Sequence, residues 1–212
     1  MKIDIYRRNE CVNAKGLCVV IDVLRAFTTA AFAFEAGAKE ITLVSTIEEA
    51  LQMQKEDPSL LLMGEQGGMP IPGFHYGNSP AEIMKISLCN RSMVQRTSAG
   101  TQGVVNCKHA DRLMIASFVV AEATIKHIDK ISPNHVSFIV TGVQNGDEDL
   151  ACAEYMKYRL LNQNVSILPF LDRVHNSPEG KIFADPNVIE FSKDDLELAL
   201  QVNRFSFAME VE

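Results

Sequence analysis

Residues 17–29, LCVVIDVLRAFTT, constrain this chain more than any other stretch. Leu17, Cys18, Val19, Val20 and Ile21 form a mostly apolar run that reads as a strand buried on both faces, which requires a sheet covered by helices. The strand ends on an acid, Asp22, and Arg25 follows in the turn. The run AFTTAAFAFEA then reads as a helix that Gly37 stops. Strand, turn and helix in this order are the unit of an α/β fold. Ligands in such folds sit beyond the carboxyl ends of the strands, where helix N-termini point free N–H groups outward. Asp22 therefore has two readings, a plain helix N-cap or a site carboxylate. Arg25 favours the second, because a charge beside a buried strand end needs an anionic partner, either Asp22 or a bound anion.

The same alternation continues along the chain. Strands are expected over 2–7, 38–44, 60–63, 93–97, 112–116 and 136–141. Helices are expected over 46–55, 119–131, 148–161 and 194–202. Thr46 with Glu49 three residues on makes a capping box, and Pro80 after Ser79 opens a short helix. A closing strand is expected over 205–211, where Phe205, Phe207 and Met209 alternate. Between them, 64–80 (GEQGGMPIPGFHYGNSP) is too rich in Gly and Pro for regular structure over most of its length, and a loop of that length in a compact domain serves a function. The pattern predicts one domain over 1–212, a three-layer α/β/α sandwich on a mostly parallel, mixed sheet, with 165–212 as a closing segment or subdomain that adds antiparallel pairing.

Composition narrows the classes of function. The net charge of −7 over 212 residues argues against a general binder of nucleic acid or anionic membrane, although a local basic site remains compatible with an anionic substrate. The opening MKIDIYRRNE lacks the apolar core of a signal peptide, and no run approaches a membrane span. Five cysteines without CxxC spacing read as reduced thiols, hence a cytoplasmic protein.

Four strand-end turns carry chemistry: Asp22 with Arg25, Glu65 with Gly67 and Gly68, 97–101 (TSAGT), and Glu148 with Asp149 behind Gly146. Carboxylates from separate strands (Asp22, Glu65, Glu148, Asp149) suit Mg²⁺, a hard cation that takes one or two carboxylates and completes its shell with water and substrate phosphate. Small residues at helix starts offer N–H groups to phosphate oxygens, and Arg25 and Arg96 offer bidentate clamps. Together these predict metal-assisted phosphoryl transfer to water. Each turn also has a plainer reading. Ser98 serves as a nucleophile or as a helix cap. Glu148 and Asp149 are favoured at a helix start by the macrodipole alone. His75 donates to substrate or makes a structural hydrogen bond.

The blocks VVIDVLRAFTTA, GEQGGMPIPGFHYGNSPAE, RTSAGTQGV and GDEDLACAE, in that order, resemble the 2-phosphosulfolactate phosphatases of coenzyme M biosynthesis. The resemblance implies a Mg²⁺-dependent enzyme that converts 2-phospho-3-sulfolactate to 3-sulfolactate and phosphate on an α/β/α fold. It marks Asp22, Arg25, Glu65, Gly67, Gly68, Gly77, Asn78, Ser79, Thr97, Gly100, Thr101, Glu148 and Asp149 as site positions without assigning a role to each. Two departures stand out: Ala99 replaces an asparagine frequent in the family, and the 142–148 turn is shorter than in many relatives. Asp22, Arg25 and Glu65 are the expected catalytic residues. Arg25, Gly67, Gly68, His75, Asn78, Ser79, Arg96, Thr97, Ser98, Gly100 and Thr101 are the expected substrate contacts. Asp22 acts either by holding Mg²⁺ near an activated water or by attacking phosphorus to form an aspartyl phosphate. Leu24 stands where the haloacid-dehalogenase phosphatases carry a second aspartate, which favours the first route. The alternatives are a phosphatase for another small organophosphate and a non-catalytic anion-binding module. A homo-oligomer is compatible with the Phe-rich tail.

Overall fold

The computed structural model describes residues 1–142 and 147–212. The first half of the chain forms β1 (Lys2–Arg7), β2 (Gly16–Ile21), α1 (Ala26–Glu35), β3 (Glu40–Val44), α2 (Ile47–Glu56), β4 (Leu61–Gln66), β5 (Met69–Pro70), α3 (Pro80–Ile83), β6 (Ser92–Arg96) and α4 (Gly100–Asn106). The second half forms β7 (Ala110–Ala116), α5 (Ala121–Ile131), β8 (His135–Val140), α6 (Asp147–Leu160), α7 (Leu168–Asn176), α8 (Pro178–Ala184), α9 (Lys193–Ala199) and β9 (Met209–Val211). The α/β class expected from the alternation is what the chain adopts.

The strands fall into two sheets rather than one. The first has the order β1-β8-β2-β7-β9, parallel except for β9, which runs antiparallel to β7. The second has the order β3-β6-β4-β5, parallel except for the β4–β5 hairpin. Strand β2 is central in the first sheet, and its last five residues are buried, as its apolar run demands. Helix α1 is the joint between the sheets: it continues from β2, and Gln95 of β6 donates to the Ala26 carbonyl at 2.9 Å. Eight of its ten residues are buried, which fits a helix apolar on nearly every side. The hydroxyls of Thr28 and Thr29 are satisfied inside, on the carbonyls of Val23 and Arg25. One buried cluster takes side chains from both sheets, and a smaller one (Val44, Ala50, Leu62, Val94) lies beside α2.

Local signals placed several elements well. The Thr46–Glu49 capping box forms, with both reciprocal hydrogen bonds present. Three expectations shift. The loop over 64–80 begins as a hairpin, because Gly67 and Gly68 take φ of 61° and 86° and make a tight two-residue turn between β4 and β5. The helix expected over 119–131 starts only at Ala121, because Phe118–Val120 form a 3₁₀ turn. The closing strand shrinks to β9: Phe205 and Phe207 face Phe32 and Phe34 instead, at ring-centroid distances of 5.0 and 6.1 Å. Aromatic packing on α1 produces the alternation there, and the segment from 165 carries three short helices, α7 to α9. The turn expected over 142–146 lies, from 143 to 146, outside the described residues. Among the described residues no helix is long and apolar enough to cross a membrane.

Candidate functional site

The carboxyl ends of β2, β4 and β6 open onto a cavity of about 200 Å³, lined by Asp22, Arg25, Glu65, Gly67, Gly68, Asn78, Ser98 and Ala99 on one side. The other wall comes from the C-terminal segment, with Glu179, Ile182, Phe183 and Phe191. Larger hollows lie elsewhere, about 360 Å³ beside Cys11 and about 840 Å³ between the β3 and β9 edges. Neither gathers the strand-end turns.

Asp22 lines the cavity and also reaches the start of α1, whose N-cap position belongs to Arg25. Its Oδ1 accepts from the Ala26 N–H, the first of that helix, at 2.8 Å. Oδ2 accepts from the Thr141 hydroxyl at 3.2 Å. Burial raises its pKa to about 6, and the Glu65 charge adds to this against the pull of the Ala26 N–H, Thr141 and Arg25. Gly100 brings α4 against this carboxylate: a Cβ there would stand 2.8 Å from Asp22 Oδ2 and 2.7 Å from the Ala26 Cβ.

Glu65 locks two turns together. It accepts from the Gly68 N–H at 2.6 Å, from the Ser98 N–H at 2.5 Å and from the Ser98 hydroxyl at 3.1 Å. The Ser98 hydroxyl in turn accepts from the Gly67 N–H at 2.8 Å. Arg96 binds the Glu65 carbonyl at 2.9 Å, and Arg8 binds the Ser98 carbonyl at 2.8 Å. Thr97 and Thr101 cap each other, each hydroxyl accepting from the other's N–H at 3.0 Å. The N–H groups of Gly67, Gly68, Ser98 and Thr101 are therefore spent on protein acceptors. The free N–H groups expected at these turns narrow to those of Ala99 and Gly100 at the start of α4, which have no protein acceptor among the described residues.

Arg25 pairs with a carboxylate other than Asp22. Its Nη1 meets Asp195 Oδ2 at 2.8 Å, and its Nη2 donates to the Gly68 carbonyl at 3.2 Å. Phe183 and Phe191 place their rings 5.0 and 5.3 Å from the guanidinium carbon. Asp195 is fully buried and also accepts from the Ser79 hydroxyl at 2.7 Å and the Ala81 N–H at 3.0 Å. Ser79 is thus a helix cap held by Asp195, and Asn78 faces the cavity beside it. His75 lies apart: its Nδ1 accepts from the Leu62 N–H at 3.0 Å, and Gln54 flanks the ring. That is the structural hydrogen bond among its two readings.

Asp149 is buried behind Asp22 and accepts from the N–H groups of Val23, Thr141 and Gly142 at 2.8, 3.0 and 2.9 Å. Burial and the Asp22 charge still push its pKa up to about 8. Glu148 is also buried, and burial together with Asp149, Glu179 and Asp22 raises it to about 9. Its Oε2 has no partner, and neither has Glu179 Oε2.

Among the described residues, no three His, Cys, Asp or Glu side chains converge closely enough to hold a metal by themselves. Mg²⁺ does not require three. Crowded carboxylates with raised pKa values and two orphaned buried oxygens fit a cation that takes one or two protein ligands. Glu148 and Glu179, each with an unpartnered oxygen, fit that role better than Glu65 and Asp149, which accept three or more hydrogen bonds each; Asp22, with one hydrogen bond on each oxygen, lies between them.

The sequence reading missed Asp195, Thr141, Glu179, Phe183 and Phe191. Asp195 left one signal: it shares a helix face with Leu198 and Ala199, three and four residues on, and those residues are buried while Asp194 is exposed. An acid on an apolar stripe must find a partner inside.

A family profile for 2-phosphosulpholactate phosphatase matches residues 4–212. A Bacillus subtilis protein named "Probable 2-phosphosulfolactate phosphatase" is 33% identical over 214 residues, spanning 100% of this chain and 94% of its own. Relatives of the same name from Clostridium perfringens and Carboxydothermus hydrogenoformans are 31% and 37% identical, spanning 92% and 77% of this chain and 81% and 69% of their own. The chain belongs to the 2-phosphosulfolactate phosphatase family, whose members are phosphoric monoester hydrolases.

Proposed function

We propose that this protein hydrolyses the phosphate ester of 2-phospho-3-sulfolactate, giving 3-sulfolactate and inorganic phosphate, with Mg²⁺ as its cofactor. One observation carries the reading: DVLRA, GEQGG with GNSP, and TSAGT, far apart in sequence, meet around one small cavity at the strand ends. Asp22, with Glu148 or Glu179, would hold the cation, which offsets charge on the phosphoryl group and lowers the pKa of water when bound. Arg25 keeps three of its five N–H donors after those spent on Asp195 and Gly68, and it presents them to phosphoryl oxygens. The Glu65–Ser98 lock fixes the distance between the β4–β5 turn and the start of α4, so the phosphate enters a rigid mouth. Phe183, Phe191 and Ile182 exclude water from the far side, which strengthens every charge interaction inside. Five free thiols support a reducing, cytoplasmic setting, and production of 3-sulfolactate for coenzyme M belongs to the same proposal.

A second reading has its own observation. A substrate with phosphate, carboxylate and sulfonate groups meets one lining guanidinium, already paired with Asp195, among several carboxylates. That balance favours a phosphate ester of lower charge. Phosphate release from 2-phosphosulfolactate, phosphoglycolate, phospholactate and 4-nitrophenyl phosphate, each with Mg²⁺ and with excess chelator, separates the two. Mg²⁺-dependent preference for the sulfonated ester supports the first reading. Preference for the simpler esters replaces it with the second. No release from a folded protein overturns both.

A further inference from the structure

The buried ion pair at the back of the cavity joins segments that the sequence keeps 170 residues apart. Asp195 reaches it from the first turn of α9, with no exposure to solvent, and three donors converge on its two oxygens. Two of them, the Ser79 hydroxyl and the Ala81 N–H, share Oδ1 and would by themselves fasten α3 to α9. The third is the Arg25 guanidinium, on Oδ2. A hydroxyl or amide at position 195 would serve the first two donors. Only a carboxylate balances a buried guanidinium.

Without that carboxylate, Arg25 has other anions within reach. Asp22 and Glu65 line the same cavity, and Arg25 already acts on Asp22 through its charge. A guanidinium released from Asp195 would swing across the cavity onto these acids and occupy the space meant for ligand. Two further features hold it back. Phe183 and Phe191 pack against it at 5.0 and 5.3 Å. Gly68 accepts its Nη2 and carries no side chain, and a Cβ there would stand 2.7 Å from Phe191 Cζ.

We infer that Asp195 is a positioning residue for anion recognition: it holds the Arg25 guanidinium on the far wall, so that its unspent N–H groups face an incoming phosphoryl group rather than the site carboxylates. This deepens the proposed function and rests on it. It also makes α9, in the last tenth of the chain, a working part of the cavity.

The test is a double-mutant cycle on the full chain, reading kcat, KM, the inhibition constant of inorganic phosphate, and melting temperature. Asp195→Asn should raise the KM and the phosphate inhibition constant about tenfold, with a smaller loss in kcat. Arg25→Ala should be at least as damaging. Asp195→Asn added to Arg25→Ala should cost less than about twofold further in kcat/KM, because the two act as one unit. The double variant should melt above Arg25→Ala alone, since the substitution removes a buried carboxylate left without its partner. Equal losses from Asp195→Asn in both backgrounds would overturn the inference. So would a lowered melting temperature with phosphate affinity unchanged. If Asp195→Asn does not fold, Asp195→Glu keeps the charge and displaces it by one methylene, and an unchanged phosphate inhibition constant there overturns the inference as well. If the wild type hydrolyses none of the esters, calorimetric binding of inorganic phosphate replaces the kinetics. Phosphate bound by wild type and lost in Asp195→Asn keeps the inference while the substrate assignment fails. No phosphate bound by wild type removes both.

Discussion

Asp22 and Glu148 are acids that folding pushes toward the protonated state, from 3.8 to about 6 and from 4.5 to about 9. Within those windows the folded chain binds more protons than the unfolded one, so their contribution to stability is greatest in acid and is lost as pH rises through each folded value. Asp149, raised to about 8, adds to the same slope. In chelator, the melting temperature should therefore fall as pH rises from about 5 to about 9, and Mg²⁺ should raise it more at the alkaline end. A Mg²⁺ effect that does not depend on pH would mean that the cation binds away from these acids. Asp22→Asn removes one charge from the crowd while its amide oxygen still accepts from the Ala26 N–H. It should leave the metal-free protein as stable as wild type or more so, and cut kcat/KM by about a hundredfold or more. Full activity in that variant would take Asp22 out of the mechanism.

At the scale of elements, close approach of α4 to β2 and α1 sets the shape of the cavity. Gly100→Ala would place its Cβ 2.7 Å from the Ala26 Cβ, and Gly103→Ala would place one 2.8 Å from both Val20 Cγ1 and Thr141 Cγ2. Each should cost about 1–3 kcal/mol in stability by overpacking. Gly100→Ala should also depress activity, because it pushes on Asp22 directly; denaturant melts alongside kcat separate the two effects. Gly64 is stricter, with φ at 146° and the Arg96 carbonyl 1.9 Å from where a Cβ would be, so Gly64→Ala should break the β4–β6 pairing. Thr46→Ala makes the contrasting control. It removes the α2 cap, which does not line the cavity, and should cost about 1 kcal/mol without changing kcat.

For the whole molecule, the C-terminal segment does two separate jobs. Phe205 packs edge-on against Phe32 of α1 at 5.0 Å and is buried, and β9 adds an edge to the first sheet. Helices α8 and α9 meanwhile complete the cavity through Phe183 and Asp195. Phe205→Ala should lose about 3–5 kcal/mol yet keep kcat near wild type below its melting temperature. A parallel loss of kcat would mean that packing and the site are coupled through α1.

Much of this was legible in local pattern. The apolar run 17–21 dictated a buried central strand, Thr46 and Glu49 dictated the start of α2, and Asp22 at a strand end announced a carboxylate at the mouth of an α/β fold. Such features depend on neighbours a few residues away, and periodicity and capping chemistry record them. Pattern could not say that Arg25 turns to Asp195 instead of Asp22, that Glu65 spends its oxygens on the Gly68 and Ser98 N–H groups, or that His75 faces Leu62 and not the cavity. Nor could it divide the strands into two sheets or delay the start of the closing strand to Met209. Those outcomes were settled by which distant donors and acceptors meet once α1 is packed between the sheets. A buried charge takes the partner that folding delivers, and sequence spacing does not encode that delivery.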